Sequence, residues 1–459
     1  MIKAFRVAMA TAITAASVVG VGTASAQDGE DTFATGFNLV NLSDTEANVT
    51  ISFYAEGQGT AQTTFNTAVP AGEPVTFAEL SVIEGLNEGF SGSAVVSSDQ
   101  EVAAVVNVVR NGDLAVGAGY SAVSEGAQEV IIPLLFKNFT SLDFDSYFNV
   151  QNVGTEVANV TVTYEGGATE TATVQPGSSA RFDQGTNPDL PDGFNSSAAV
   201  TSDQPIAVAV VQNGNTVLGY NAIASPSTTP LFPLVAGNNS NFFSGVSIRN
   251  VGDQSTDVTV SYAPSQAGTA CTETQTIPSG EARNFALYTL DATTGDSDTP
   301  ITTDCDRSVF FVGSGQVTTN SANQPLAATV NQQNNVNVSG GSYTAVDPSE
   351  ASGTLVMPII QDTFFGFFTG FSIVNVGDAP TSIECTYAQS DVTQSVENLA
   401  PGATWTAQQS GVIPANTDNG YNGSGVCTAS ASGAQIIGVL NQLGSGEDDS
   451  FFVTNAINN

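Results

Sequence analysis

The chain of 459 residues contains no histidine, and it sets only eight lysines and arginines against 44 aspartates and glutamates. The missing imidazole excludes Ser-His-Asp and Cys-His nucleophilic sites and most zinc hydrolases, because histidine is the base or the ligand in each. The shortage of cations excludes nucleic acid as a partner, since phosphate is neutralised by lysine and arginine. Lys137 is the one lysine beyond the N-terminal stretch. Long apolar runs are missing as well: past that stretch, nothing approaches the ~20 residues of a membrane-spanning helix. The usual helix formers, Leu, Lys, Glu and Arg, are scarce, whereas Gly, Thr, Ser, Asn and Val abound. That balance belongs to an all-β protein with many turns.

The N-terminal stretch carries Lys3 and Arg6, an apolar segment from Val7 to Val21, and Ala24-Ser25-Ala26 before the polar Gln27. A charged start, a short apolar middle and a small-x-small end read as a cleaved secretory signal over residues 1–26. The expected product is secreted, extracellular or at the cell surface, without membrane insertion after cleavage. No cysteine follows the leader for lipid attachment, and Phe451 to Asn459 forms no hydrophobic tail. Retention at a surface is therefore expected to be non-covalent. A net charge of −36 suits solubility in a saline exterior and would draw divalent cations.

Internal repetition dominates what is present. Phe37-Asn38-Leu39-Val40-Asn41 returns as Phe148 to Asn152, Val246 to Asn250 and Phe371 to Asn375. Twelve residues after each of these asparagines stands Phe53, Tyr164, Tyr262 or Tyr387. These aromatics close strands such as Val160-Thr161-Val162-Thr163-Tyr164, whose apolar and hydroxyl side chains alternate with the period of a half-buried strand. Three of the asparagines precede Val-Gly (Gly154, Gly252, Gly377), and that glycine is expected to supply the positive φ of a hairpin turn. Each unit then shows a Pro-Gly turn, at Gly72, Gly177, Gly280 and Gly402. In three units a Gly-aromatic step follows, Gly89-Phe90, Gly193-Phe194 and Gly420-Tyr421, and each unit ends near Tyr120, Tyr220, Tyr343 or Phe452.

Units of about 100 to 125 residues with some seven short strands have the rhythm of an immunoglobulin-like sandwich, and are too long for propeller blades or solenoid coils. The expected fold is all-β: a tandem array of four Ig-like antiparallel β-sandwich domains after the cleaved leader, at 27–129, 130–228, 229–352 and 353–459.

The opening half of each unit, Asn-x-Gly, then Val-Thr-Val-x-Tyr, then Pro-x-Gly, resembles bacterial cell-surface Ig-like and CARDB-type adhesion modules. The later Gly-Phe-x-Gly-Ser-Ala (Gly89 to Ala94) and Ser-Asp-Gln (Ser98 to Gln100, Ser202 to Gln204) segments resemble secreted bacterial repeat proteins of uncharacterised function. The resemblance implies a surface location and a mechanical or adhesive role, and it brings no catalytic residues.

All four cysteines fall in the last two units, Cys271 and Cys305 in one, Cys385 and Cys427 in the other. In an exported chain they read as one disulfide per unit. Cys385 shares a strand face with Ile383 and Tyr387, and Cys427 stands where Val96 and Val200 stand in the earlier units, so both should reach one core. A zinc site lacks histidine partners and paired cysteine spacing.

Candidate chemistry is sparse. Asp143 and Asp145, and Asp296, Asp298, Asp304 and Asp306, are acid pairs of the kind glycoside hydrolysis uses, but among 44 acids they read as solvated loops, and no enzyme is expected. No cofactor is expected. Calcium, were it bound, would take the hard-oxygen loop from Leu290 to Arg307 or Glu447-Asp448-Asp449, though neither has the spacing of a known calcium loop. The cluster Phe364, Phe365, Phe367, Phe368 and Phe371 reads as core and inter-domain packing, with an exposed sticky patch as the alternative. Asn41-Leu42-Ser43 and Asn138-Phe139-Thr140 are glycosylation sequons in form.

Three joining segments, Ile131 to Leu135, Leu231 to Val235 and Val356 to Ile360, are apolar with a central proline that should confine them to a sheet edge. Four units share three such strands, so one terminal unit is expected to lack an edge strand; either Asp31 to Phe33 or a shortened sheet closes that edge, or it accepts a strand from a neighbouring molecule or a partner. The expected function is a non-enzymatic extracellular structural or surface-layer-like component. The alternative is an adhesin or carbohydrate-binding module using loops at the sandwich ends. The expected partners are a second copy of the chain or cell-surface polymers.

Overall fold

The computed structural model describes residues 16–18, 32–77, 80, 83–87, 89–111, 116–139, 144–286, 302–306, 309–334, 336, 339–444 and 451–458. Within them the chain is all-β, in seven sheets of antiparallel strands. Most of the stretch read as a leader, residues 1–15 and 19–26, lies outside the described residues, as do residues 27–31.

Repeat 1 follows β1 (Ala16–Val18) and comprises β2 (Thr32–Asn41), β3 (Ala47–Ala55), β4 (Thr63–Val69), β5 (Pro74–Phe77), β6 (Gly92–Ser98), β7 (Val102–Asn111) and β8 (Val116–Ser121). Its two sheets have the orders β1-β6-β3-β4 and β5-β2-β7-β8. Repeat 2 comprises β9 (Ala127–Lys137), β10 (Asp145–Asn152), β11 (Ala158–Tyr164), β12 (Thr169–Val174), β13 (Ser179–Asp183), β14 (Phe194–Asn213) and β15 (Val217–Asn221). Here β14 is long enough to serve both layers, so all seven strands are joined into one sheet.

Repeat 3 comprises β16 (Leu231–Gly237), β17 (Phe242–Asn250), β18 (Thr256–Ala267), β19 (Cys271–Ile277), β20 (Ala282–Ala286), β21 (Thr302–Thr303), β22 (Phe311–Thr319), β23 (Leu326–Asn334) and β24 (Ser339–Thr344). Repeat 4 comprises β25 (Thr354–Asp362), β26 (Phe367–Asn375), β27 (Thr381–Tyr387), β28 (Thr393–Leu399), β29 (Thr404–Gln409), β30 (Tyr421–Ala429), β31 (Ile436–Gly444), β32 (Phe451–Asn455) and β33 (Ile457–Asn458). Each of these two repeats again forms two sheets, β16-β22-β18-β19-β21 with β20-β17-β23-β24, and β28-β27-β30-β25-β33 with β29-β26-β31-β32.

The alternation in sequence becomes alternation in burial. Along β11, Ala158, Val160, Val162 and Tyr164 are buried while Asn159 and Thr163 are exposed, and β3, β18 and β27 repeat the pattern. Burying one such face stabilises by roughly 1.5–3 kcal/mol per large apolar side chain.

The turn after the repeated asparagine is built differently from the sequence expectation. Gly154, Gly252 and Gly377 do not have positive φ; the Pro-Gly turn glycines Gly72, Gly177, Gly280 and Gly402 do. The asparagine side chain makes the first turn instead. Asn152 Nδ2 donates to the carbonyls of Glu156 and Val174, and its Oδ1 accepts the Gly154 N–H at 2.8 Å. Asn250 and Asn375 make the same three bonds. In Asn41 the accepted N–H comes from Ser43. Glycine leaves room there in repeats 2 and 3: a Cβ on Gly252 would stand 1.9 Å from Gln324 Oε1 and one on Gly154 2.7 Å from Gln204 Oε1, whereas on Gly377 the nearest atom would be 3.3 Å away.

A second device ties the strand that follows to the turn before the last long strand. Asn48 donates its backbone and side-chain N–H to Asp99 at 2.8 and 2.7 Å, and Asn159 does the same to Asp203. Repeat 3 inverts the pair: Asp257 takes the strand position and Asn320 the turn, with N–H to Oδ1 at 3.0 Å and Nδ2 to Oδ2 at 2.7 Å. The Asn159 backbone and side-chain N–H groups hold the Asp203 carboxyl below its ordinary value of 3.8. The stabilisation is therefore complete above that ordinary value and is lost as pH falls through the depressed one. Asn159→Asp should place two carboxylates together and lower the melting temperature at pH 7, with the deficit disappearing once both are protonated. Adding Asp203→Asn rebuilds the arrangement of repeat 3 and should restore it. Thermal melts of the three chains against pH check this, and a double variant no better than the single one would contradict it.

The joining strands belong to the repeat that follows them; β16 ends its sheet and β9 pairs with β14 alone among the described strands, as a central proline requires of an edge strand, whereas β25 lies inside its sheet. β9 pairs with β14 and bridges Ile223, β16 pairs with β22 and bridges Val346, and β25 lies between β30 and β33. The register shifts across each proline, between Ile132 and Leu135, Phe232 and Val235, and Met357 and Ile360. A bulge thus absorbs the missing N–H. In repeats 2 and 3 the buried Tyr220 and Tyr343 hydroxyls fill the gap, donating to the Leu134 and Leu234 carbonyls.

The four repeats are not strung out as an open row; the last returns to the first. β8 packs beside β15, β15 beside β24, β24 beside β32, and β32 beside β8. These closing strands can meet because they are rich in small residues: a Cβ on Gly117 would lie 2.3 Å from the Phe452 ring, one on Gly219 2.9 Å from Ala118, and one on Gly341 2.4 Å from Val453. A relay of amides links the seams. Asn331 donates to Gln212 at 2.7 Å, Asn441 to Gln332 at 3.5 Å, and Asn107 to Gln442 at 3.3 Å. Between repeats 1 and 2 the corresponding positions are Val108 and Val211, which lie in one buried apolar cluster. Apolar replaces polar on both sides of the seam together, so no amide is left unpaired there.

Candidate functional site

Two cavities among the described residues lie at the ring. The larger, about 360 Å³, sits where the four closing strands end. Ser121, Asn221, Thr344 and Asn455 occupy equivalent places around it, and Asn221 and Asn455 donate to the Ser121 and Thr344 carbonyls at 2.7 and 2.8 Å. Ser121 Oγ, Asn221 Oδ1 and Asn458 Oδ1 are buried without a protein hydrogen-bond partner. The Glu350 carboxyl on the rim is pushed up, first by burial and then by Asp347. Neutral oxygens and one carboxyl suit ordered water or a small polar solute.

The smaller cavity, about 230 Å³, lies on the seam between repeats 4 and 1. Phe37, Phe77, Phe364, Phe367 and Phe452 give it aromatic walls, and Asn38, Asn107, Gln361 and Gln442 add side-chain amides. Here the phenylalanine cluster divides. Phe371 is in the repeat 4 core against Trp405, Phe364 and Phe367 line the seam cavity, and Phe365 is 68% exposed.

The cysteines form two disulfides within repeats, Cys271–Cys305 and Cys385–Cys427. Cys385 faces Cys427 directly across β27 and β30, in the register that Val162 and Val200 hold in repeat 2. Among the described residues, the one group with metal-ligand spacing is Cys271, Asp304 and Cys305, and both sulfurs are spent in the disulfide. Asp304 accepts the Thr272 N–H and hydroxyl, and the backbone bond chiefly holds its carboxyl below the ordinary range.

Asp145 accepts the Asn138 N–H. Asp143, Asp296, Asp298, most of the loop from Leu290, and Glu447 to Asp449 lie outside the described residues. Of the sequon asparagines, Asn41 is buried in its turn and Asn138 donates to Asp192. The buried Lys137 donates to the Asn187 and Leu190 carbonyls.

One further feature concerns the edge of repeat 1. β1 pairs with β6, Ala16 opposite Val96, Ser17 opposite Val95 and Val18 opposite Ala94. Ala94 stands opposite Phe53 on the other side, as Ala198, Gly315 and Gly425 stand opposite Tyr164, Tyr262 and Tyr387. Those three residues receive Ile132, Phe232 and Met357 from the joining strands. Residues 16–18 thus hold in repeat 1 the place and register of the joining strand that it otherwise lacks. The excess of acceptor edges was readable from the sequence; the filling of this one by residues 16–18 was not, because Ala16-Ser17-Val18 has neither the bulk nor the proline of its counterparts.

No family model matches the chain, and no curated protein matches it either. Among solved structures, a tetra-tandem repeat from the extending region of a large adhesion protein aligns over 96% of this chain and 98% of its own, at 11% identity and a TM-score of 0.10. A score that low carries no argument about fold or function. Among the described residues, no helix is long and apolar enough to cross a membrane.

Proposed function

We propose that the chain is a non-enzymatic, exported structural component of a cell surface or extracellular layer, made of four immunoglobulin-like sandwiches. The observation that carries this reading is the closure of the four repeats upon one another. Their strand ends are spent on seams and cores, and two of the acids singled out in the sequence, Asp145 and Asp304, serve as acceptors for backbone N–H groups. Two disulfides and the strongly acidic, histidine-free composition suit an oxidising, saline exterior. Cell fractionation with immunogold electron microscopy tests it: label should lie outside the cytoplasm, in a continuous layer or in released assemblies. Cytoplasmic protein would defeat the reading.

A second reading, a carbohydrate-binding module, is favoured by the seam cavity, where aromatic walls and uncharged amides meet. Binding on a glycan array that is lost in Phe367→Ala would favour it over a purely structural role.

A further inference from the structure

We infer that removal of the leader opens, in repeat 1, a slot for a single β-strand, and that an extended apolar strand of another polypeptide fills it. This rests on the export reading above, in which the chain is cut after Ala26.

The slot is defined by its backbone. Ser91 O accepts the Glu56 N–H and the Asp99 N–H goes to Asn48 O, so the odd residues of β6 direct their peptide groups at β3. Gly92, Ala94, Val96 and Ser98 then direct theirs at the edge where β1 lies. Taking β1 away bares this row, and Ala94 O alone keeps a partner there, the Gln151 side chain at 3.3 Å. An apolar gap opens beneath it, since Ala94 and Val96 face the repeat 1 core. In the sibling repeats the same gap is filled by Val130, Ile132 and Leu135, and by Leu355, Met357 and Ile360, all within the cores.

The siblings also show what can enter. Their joining strands are held on both sides, by the acceptor strand and by the segment after the closing strand, through Ile131 to Ile223, Leu231 to Val346 and Val356 to Ile457. The following repeat covers the bulge: Ser247 donates to Pro133 O and Asn38 to Pro358 O. A place walled on three sides admits one extended segment and not the edge of a folded sheet. The occupant must be uncharged and apolar at alternate positions. The three joining strands of the same chain are already committed, and the residues after the cut, Gln27-Asp28-Gly29-Glu30-Asp31, carry three acids in five, the opposite of the uncharged, apolar composition the slot takes. The strand therefore comes from another chain.

The test uses residues 27–459, a chain that also retains residues 14–26, and a labelled peptide of residues 130–136 carrying uncharged polar end tags. Fluorescence anisotropy should show saturable binding to the first chain. Binding to the second should be at least about ten-fold weaker, and N-methylation of the amide equivalent to Ile132 should cost about ten-fold, the worth of one backbone hydrogen bond. No saturable binding by residues 27–459, equal binding by both chains, or undiminished binding of the N-methylated peptide would overturn the inference. The N-terminal mass of protein from its own cells separately reports whether the leader is removed, so failure of the export reading and failure of the slot are told apart.

Discussion

Gly117→Val should lower the melting temperature and swell the molecule by parting repeat 4 from repeat 1. The new Cβ would lie 2.3 Å from the Phe452 ring, with the Val108 carbonyl 3.0 Å away on the other side. Neither neighbour can yield cheaply, as Phe452 is buried and the carbonyl is in a strand. Overpacking of this kind costs on the order of 1–3 kcal/mol even where the surroundings can shift. At this seam they shift by opening, because the two sides come from opposite ends of the sequence and are held by side-chain contacts alone. The Asn107–Gln442 and Asn38–Pro358 bonds and the stacking of β8 on β32 should go together. Small-angle scattering should register a larger radius of gyration at a temperature where calorimetry still finds the individual repeats folded. Gly245→Val is the control: a Cβ there meets nothing within 4 Å, and the protein should stay closed. An unchanged radius and melting temperature in Gly117→Val would mean that the ring does not depend on that contact.

Much of the architecture was legible because it is local. Period-two alternation in Val160 to Tyr164 and its three counterparts fixes which face is buried, and the Pro-Gly turns at Gly177, Gly280 and Gly402 need a positive φ that glycine alone adopts freely. The partner of Cys385 followed from the same register argument, since a core position is shared by every copy of a repeat. The turn at Asn152 misled because Asn-x-Gly serves two geometries: here the asparagine side chain replaces the backbone turn and the glycine is kept for space. The ring escaped for a different reason. Nothing in the spacing of Gly117, Gly219 and Gly341 distinguishes a strand that packs on another repeat from one that is merely flexible, and the amide relay joins residues more than a hundred positions apart. The seam cavity was half visible, as a bunching of phenylalanines whose division between core, cavity and surface depends on where repeat 1 arrives.

The two disulfides should differ sharply in how they respond to a reductant, although they enclose similar stretches of chain. Their sequence separations are 34 and 42 residues, for which loop-closure entropy alone gives about 4 kcal/mol each. Access separates them. Cys385 and Cys427 are fully buried, packed among Met357, Ile383 and Tyr387, whereas Cys305 is only half-buried, just past the short exposed strand β21. Thiol–disulfide exchange needs a path for the attacking thiolate. Low concentrations of a phosphine or thiol under native conditions, followed by alkylation and mass mapping, should therefore modify Cys271 and Cys305 first. Cys385 and Cys427 should become labelled only as fast as repeat 4 opens. Removing the buried pair as Cys385→Ala with Cys427→Ala should cost about 4 kcal/mol, with a further penalty for the void between β27 and β30. The melting temperature of repeat 4 should fall first, and because β32 belongs to that repeat, the seam with repeat 1 should loosen with it. Simultaneous labelling of all four cysteines below the unfolding transition would show that repeat 4 opens far more readily than its packing implies.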